Sequence, residues 1–265
     1  MYLGLDVGGT TIKCGALDDD NKIIKIDTIE TRAGEGRQIV IERIFALVGD
    51  FLDEFDVRSI GMGMPGVVNS DGVLLFSPNL PGWKNVELKH LMSEKFGMPV
   101  ALDNDANVAA FAELEIGSGR DIGDFLYITL GTGVGGCVIM NSHIVRGLIG
   151  GAGEFGHMII KADDDPADFE NAYRIGTLEE YVGKDAIIRL AKQLIEDYPR
   201  SELRQYKNLD VKQISEHISQ GDPAAIECFK RVGRYLGIGI ISVLNLLDLR
   251  VAIIGGGISK SHAML

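Results

Sequence analysis

Two stretches of this chain repeat one plan. "LGLDVGGTTIKCGALDDDNKI" near the start and "YITLGTGVGGCVIMNSHIV" from Tyr127 each pass from an apolar strand through a Gly-rich turn into a second apolar strand, then into a polar reverse turn. Apolar and β-branched residues on both sides of the glycines suit paired strands. The glycines suit a turn that needs positive φ or close backbone approach. Cys14 and Cys137 fall near corresponding places in the two second strands. A hairpin that occurs twice predicts two related halves.

The intervening segments fit an α/β architecture. "RQIVIERIFALVGDFLDEF" repeats apolar residues at Ile41, Ile44, Phe45, Val48, Phe51, Leu52 and Phe55, a helical stripe that should pack on a sheet. "SIGMGMPGVV" reads as a strand running into a loop, and "MPVALDND" as another strand. After the second hairpin come a loop-like region over residues 147–168, helices near residues 186–196 and 223–247, and the strand "RVAIIGGG". Strands alternating with helices indicate α/β. At 265 residues and 46% hydrophobic, the chain can bury two cores. We expect a smaller N-terminal α/β domain over residues 1–107 and a larger one over residues 108–265.

A net charge of −12 and a pI near 4.9 argue against nucleic-acid or anionic-membrane surfaces, which need clustered Lys and Arg. The chain opens on a strand-like stretch with no basic or apolar leader, so a cytoplasmic protein is expected. "IGIISVLNLLDLRVAII" is interrupted by Asn245, Asp248 and Arg250, which predicts a buried helix and strand rather than a membrane span. Cys14, Cys137 and Cys228 lie far apart and in no metal-ligand spacing.

Three glycine clusters, "DVGGTTIK", "GTGVGG" and "IIGGG", directly follow apolar strands, where backbone N–H groups can face phosphate oxygens with no Cβ in the way. None carries the Lys and Ser or Thr of a Walker loop, and none makes the dinucleotide fingerprint. Two of them sit on equivalent hairpins, and together they predict a nucleotide site. "DNDAN", residues 103–107, lies where a strand gives way to a helix. A helix cap explains one or two of its four polar residues. At such a terminus the dipole and free N–H groups favour a charged carboxylate, so Asp105 is expected to be ionised and able to accept a proton.

These residues resemble the ROK sugar kinases of the actin and hexokinase superfamily. The match runs in order through "DVGGTTIK", "GMGMPGVV", "SPNLPGW", "LDNDANVAA", "ITLGTGVGG", "GGAGEFGH", "GTLEEY" and "VAIIGGGIS". The resemblance implies a two-domain actin-like (ribonuclease H-like) fold with duplicated hairpin and helix units and a cleft between the domains. It implies an ATP-dependent hexose kinase acting on glucose at the 6-hydroxyl, with other hexoses or N-acylhexosamines as alternatives, and a homodimer. Asp6 would help position Mg2+. Gly8, Gly9, Thr10, Thr11 and Lys13 would approach the phosphates from one hairpin, and Gly131, Thr132 and Gly133 from the other. Gly255, Gly256 and Gly257 would back the adenosine. Asp105 would be the base, and Asn104, Glu154, His157 and Glu179 would hold sugar hydroxyls with Gly66 and Asn79 at the rim. Asp103 and Asn107 are then expected to be the cap and turn residues.

Two departures stand out. Many relatives carry a CxCGxxGCxE zinc motif before the glutamate that corresponds to Glu179. The stretch here is "ENAYRIGTLE", without a thiolate, so no structural zinc is expected there and His157 must be oriented by something else. Relatives also usually continue through further helices beyond the stretch "IIGGGISKSHAML".

Overall fold

The computed structural model describes residues 1–162 and 174–259. The chain forms two compact units: Met1–Ala112 with Arg146–Ala152, and Glu113–Val145 with Gly153–Leu265.

Unit 1 contains strands β1 (Tyr2–Val7), β2 (Thr11–Leu17) and β3 (Ile23–Glu30), helix α1 (Arg37–Glu54), β4 (Ser59–Met64), the short strands β5 (Val67–Val68), β6 (Leu74–Phe76) and β7 (Lys84–Val86), α2 (Leu88–Phe96), and β8 (Val100–Asn104). Helix α3 (Asp105–Ile116) follows directly, and the division between the units falls inside it. The main sheet has the order β3-β2-β1-β4-β8. β1 pairs antiparallel with β2 and parallel with β4, and β4 pairs parallel with β8. The alternating pattern of β1 and β2 puts Leu3, Leu5, Val7, Ile12, Cys14 and Ala16 inside. The stripe on α1 closes this core with Ile44, Val48 and Phe51 fully buried. Each such side chain contributes roughly 1.5–3 kcal/mol through burial.

Unit 2 repeats the pattern. β9 (Phe125–Leu130) pairs antiparallel with β10 (Val134–Met140), β10 pairs with β11 (His143–Ile144), and β9 pairs parallel with β12 (Ala252–Gly255). The order β11-β10-β9-β12 matches the first four strands of the other sheet. Cys14 and Cys137 are the fourth residues of β2 and β10, so the correspondence seen in the sequence is a correspondence of register. Helices α4 (Glu179–Val182), α5 (Lys184–Asp197), α6 (Val211–Ser219) and α7 (Pro223–Leu247) complete the described part of the unit. α7 begins where its sequence says it must: Asp222 accepts the N–H groups of Ala224 and Ala225, and Pro223 occupies the first turn. Among the described residues no helix is long and apolar enough to cross a membrane. The early part of "ENAYRIGTLE", residues 170–173, lies outside the described residues, as do the run "DDDP" and the final residues 260–265.

Candidate active site

Parallel strands deliver their carboxyl ends to one edge of a sheet, which is where α/β folds place ligands. In unit 1 that edge collects the ends of β1, β4 and β8, and with them most of the predicted residues of this half.

The turn between β1 and β2 comprises residues 8–10. Gly8 donates its N–H to Thr11 O at 2.8 Å, and Thr31, fully buried, grips the turn from behind. The Thr31 hydroxyl donates to Gly8 O at 2.6 Å and its N–H to Thr10 O at 2.8 Å. The sequence reading missed Thr31, because its contacts arise only when β3 folds back along β2. The turn also touches the "SPNLPGW" loop, since a Cβ on Gly9 would lie 3.0 Å from Asn79 O. Thr10 and Asn79 are exposed. Trp83 packs this loop as a core residue, 2% exposed.

Asp6 and Lys13 are cross-strand partners with an ion pair of 3.5 Å, both side chains more than half exposed. Such a pair is weak, on the order of 0–1 kcal/mol, and yields readily to a stronger cation. One exposed carboxylate beside a glycine turn suits Mg2+, which takes few protein oxygens and completes its shell with phosphates and water. Asp6 is the carboxylate here that would hold such an ion.

At the end of β8 the four polar residues of "DNDAN" divide their work. The helix cap is Asn104, not Asp103 or Asn107 as the sequence predicts. Asn104 Oδ1 accepts from the N–H groups of Ala106 at 2.8 Å and Asn107 at 3.2 Å, while Nδ2 donates to Gly66 O at 3.0 Å. Cap identity depends on which adjacent side chain faces the free N–H groups, and the pairing of Met64 with Asn104 fixes that. Asp103 is instead an anchor. Its Oδ1 accepts from Asn104 N and Asn107 Nδ2, both at 2.8 Å, and its Oδ2 pairs with Arg146. Asp105, the first residue of α3, is exposed, and its Oδ1 accepts from Ala106 N at 2.9 Å. Gly66 sits at φ +117°, and a Cβ there would overlap the Phe76 carbonyl oxygen.

In unit 2 the turn of residues 131–133 joins β9 to β10, and Gly131 N donates to Gly133 O at 3.0 Å. Val134, the next residue, is a meeting point. Its N–H donates to Glu179 Oε2 at 2.8 Å, and a Cβ on Gly156 would overlap its carbonyl oxygen. Glu179 lies so close over Gly133 that a side chain there would collide with it. The 3-10 turn Phe155–His157 buries Phe155 and Gly156 and leaves Glu154 and His157 exposed. His157 Nε2 stands 3.7 Å from Glu154 Oε2, so in the described structure this carboxylate faces the ring. The late glycines back β9: a Cβ on Gly255 would collide with Tyr127 and one on Gly256 with Leu130, whereas Gly257 is exposed. Among the described residues no group of three His, Cys, Asp or Glu side chains could hold a metal.

The same hairpin, flanked by the same parallel strand in both units, defines the actin-like α/β fold. The chain belongs to the ROK family, whose model matches residues 2–265. It is 33% identical to the glucokinase of Halalkalibacterium halodurans, over 98% of this chain and 81% of that protein. It is also 27% identical to the xylose repressor of Bacillus subtilis, over 99% of this chain and 66% of that one. A ROK family glucokinase from Streptomyces griseus, solved in complex with glucose and AMPPNP, superposes with a TM-score of 0.82 at 32% identity, covering 99% of this chain and 85% of that one.

Proposed function

We propose that this chain is an ATP-dependent hexose kinase that transfers the γ-phosphoryl group to a sugar hydroxyl, with the 6-hydroxyl of glucose as acceptor. The observation that carries the reading is the placement of Asp105. It is an exposed carboxylate on the first residue of α3, at the carboxyl end of β8, beside the capping residue Asn104, which is tethered to Gly66. The likeness to glucokinases, one of them bound to glucose and an ATP analogue, supports the same reading.

In this reaction Asp105 accepts the proton of the attacking hydroxyl. Asn104, Gly66, Asn79, Glu154, His157 and Glu179 are the residues assigned to the sugar. Ionised carboxylates only accept hydrogen bonds, which matches the donors a pyranose presents. The turns of residues 8–11 and 131–133 receive phosphate oxygens on backbone N–H groups, Lys13 adds a positive charge, and residues 255–257 back the adenosine. Asp6 would hold Mg2+, whose chemistry when bound is to neutralise charge on the β- and γ-phosphates. Most of the catalysis is positioning and electrostatics, because the transition state of phosphoryl transfer is loose.

The proposed enzyme carries no structural zinc, and metal analysis giving one zinc per chain after chelation would contradict that. A cytoplasmic homodimer is the proposed setting, which light scattering on purified protein would test for its oligomeric part. The deciding experiment is a panel of hexoses and N-acylhexosamines with ATP and Mg2+, read by ADP release. Glucose should be the best acceptor. An N-acylhexosamine better by an order of magnitude would replace glucose, and no ADP release with any sugar would favour a sugar binder without turnover.

A further inference from the structure

Glu179 is held at both oxygens by this chain. Oε2 accepts from Val134 N at 2.8 Å, and Oε1 accepts from Arg174 Nη1. Its side chain is 15% exposed and that of Arg174 is 35% exposed. A carboxylate offers about four acceptor positions, so two protein donors leave the others pointing in fixed directions. Val134 alone would leave the group free to swing about one hydrogen bond.

Arg174 is itself fixed from behind. Its carbonyl accepts both the N–H of Thr177 at 3.0 Å and the Thr177 hydroxyl at 2.8 Å, and Thr177 is 4% exposed. Gly176, at φ +73°, lets this turn press against Lys161 O, and its own carbonyl accepts from Ile160 N at 2.8 Å. The backbone under Arg174 is therefore set before its side chain reaches Glu179. A guanidinium is suited to that task, being planar, always charged and well matched to a carboxylate.

We propose that Arg174 is the positioning residue that fixes the Glu179 carboxylate, both on the Val134 N–H of the second glycine turn and toward a sugar hydroxyl. The sugar part rests on the hexose-kinase reading above; the Val134 part does not. Arg174 is not a ligand in this account, and it acts only through Glu179.

The experiment uses the full chain with Arg174→Met, which keeps the apolar stem and removes the donors, and Arg174→Lys, which keeps the charge. Amide hydrogen exchange without ligand should show Val134 exchanging about tenfold faster or more in Arg174→Met, the effect of losing a charge-assisted restraint, with Arg174→Lys in between. Should Arg174→Met not fold, the lysine variant carries this measurement alone. Unchanged protection of Val134 overturns the proposal. In steady-state kinetics the hexose KM should rise about 10- to 100-fold in Arg174→Met, while kcat at saturating hexose stays within about threefold. A loss confined to kcat, or equal losses in every parameter together with a lower melting temperature, would mean a general structural role and also overturns it. If the wild-type protein releases no ADP with any hexose, the kinase reading fails, and the exchange measurement still decides whether Arg174 holds Glu179.

Discussion

Asp103 and Arg146 form an ion pair within unit 1, joining the end of β8 to the glycine-rich segment that precedes Glu154. Asp103 is 14% exposed at its side chain and also receives Asn104 N and Asn107 Nδ2, so one carboxylate satisfies three donors. Asp103→Asn removes the charge and one acceptor site. Because Arg146 is 42% exposed, solvent screens part of the loss. We expect a cost of about 1–2 kcal/mol in urea unfolding, with turnover much less affected. A variant as stable as wild type would show that the pair does not hold this junction.

The neighbouring substitution should behave in the opposite way. Asp105→Asn keeps size and removes the proton acceptor, so folding and sugar titration should survive while turnover falls by roughly 10²- to 10⁴-fold. Proton removal can come late in a loose transition state, yet loss of a charge that orients the hydroxyl should still lower kcat. Retention of more than about a tenth of wild-type turnover would make Asp105 a ligand or a first-turn residue only.

Gly66 and Gly82 make a matched pair. Both have positive φ, at +117° and +78°, but a Cβ on Gly66 meets the Phe76 carbonyl and Ser77, whereas one on Gly82 meets nothing within 4 Å. Gly82→Ala should cost only the backbone preference, about 1 kcal/mol. Gly66→Ala should cost about 3 kcal/mol or more and loosen Asn104, whose Nδ2 donates to Gly66 O. Equal melting temperatures for the two variants would refute the difference.

Thiol chemistry gives a test by pH. Burial pushes the Cys14 and Cys228 thiols up from 9.0 to about 12, with Asp27 adding to the effect at Cys14 and Glu227 at Cys228. The folded state keeps these thiols neutral, whereas the unfolded chain ionises them near 9. Their contribution to stability is therefore whole below pH 9 and is lost as pH rises from about 9 toward about 12. Native protein at pH 8 should react with an aromatic disulfide reagent only as fast as it unfolds, and urea midpoints should fall between pH 8 and pH 10. Rapid labelling of both residues in native buffer would contradict this.

The parts of the molecule that rest on local signals are legible in the sequence. The two hairpins, the stripe of α1, and α7 beginning at Pro223 each follow from periodicity, turn glycines or a cap within a few residues. The parts that rest on pairing are not. Arg146 meets Asp103 across 43 residues, and nothing near either names the other. β3 carries exposed Ile23, Ile24 and Ile26 with no inside–outside alternation, so it gives no strand signal of its own and is defined by its pairing with β2. Arg174 reads as an ordinary polar residue until its backbone turn is seen. Asn104 illustrates the middle ground: "DNDAN" announces a cap, but only the register of β4 against β8 decides which residue provides it.

The two sheets also differ in when they can be finished. A ribosome that has released Asn104 has already supplied all five strands of the first sheet, whereas β9 must wait for β12, far later in the chain, before its parallel edge is covered. During that interval a strand as apolar as Phe125–Leu130 has an open side, the kind of surface that pairs with other nascent chains. Slow synthesis through α5, α6 and α7 lengthens the exposure, so yield in a cell should depend on elongation rate and on chaperones that shield this edge.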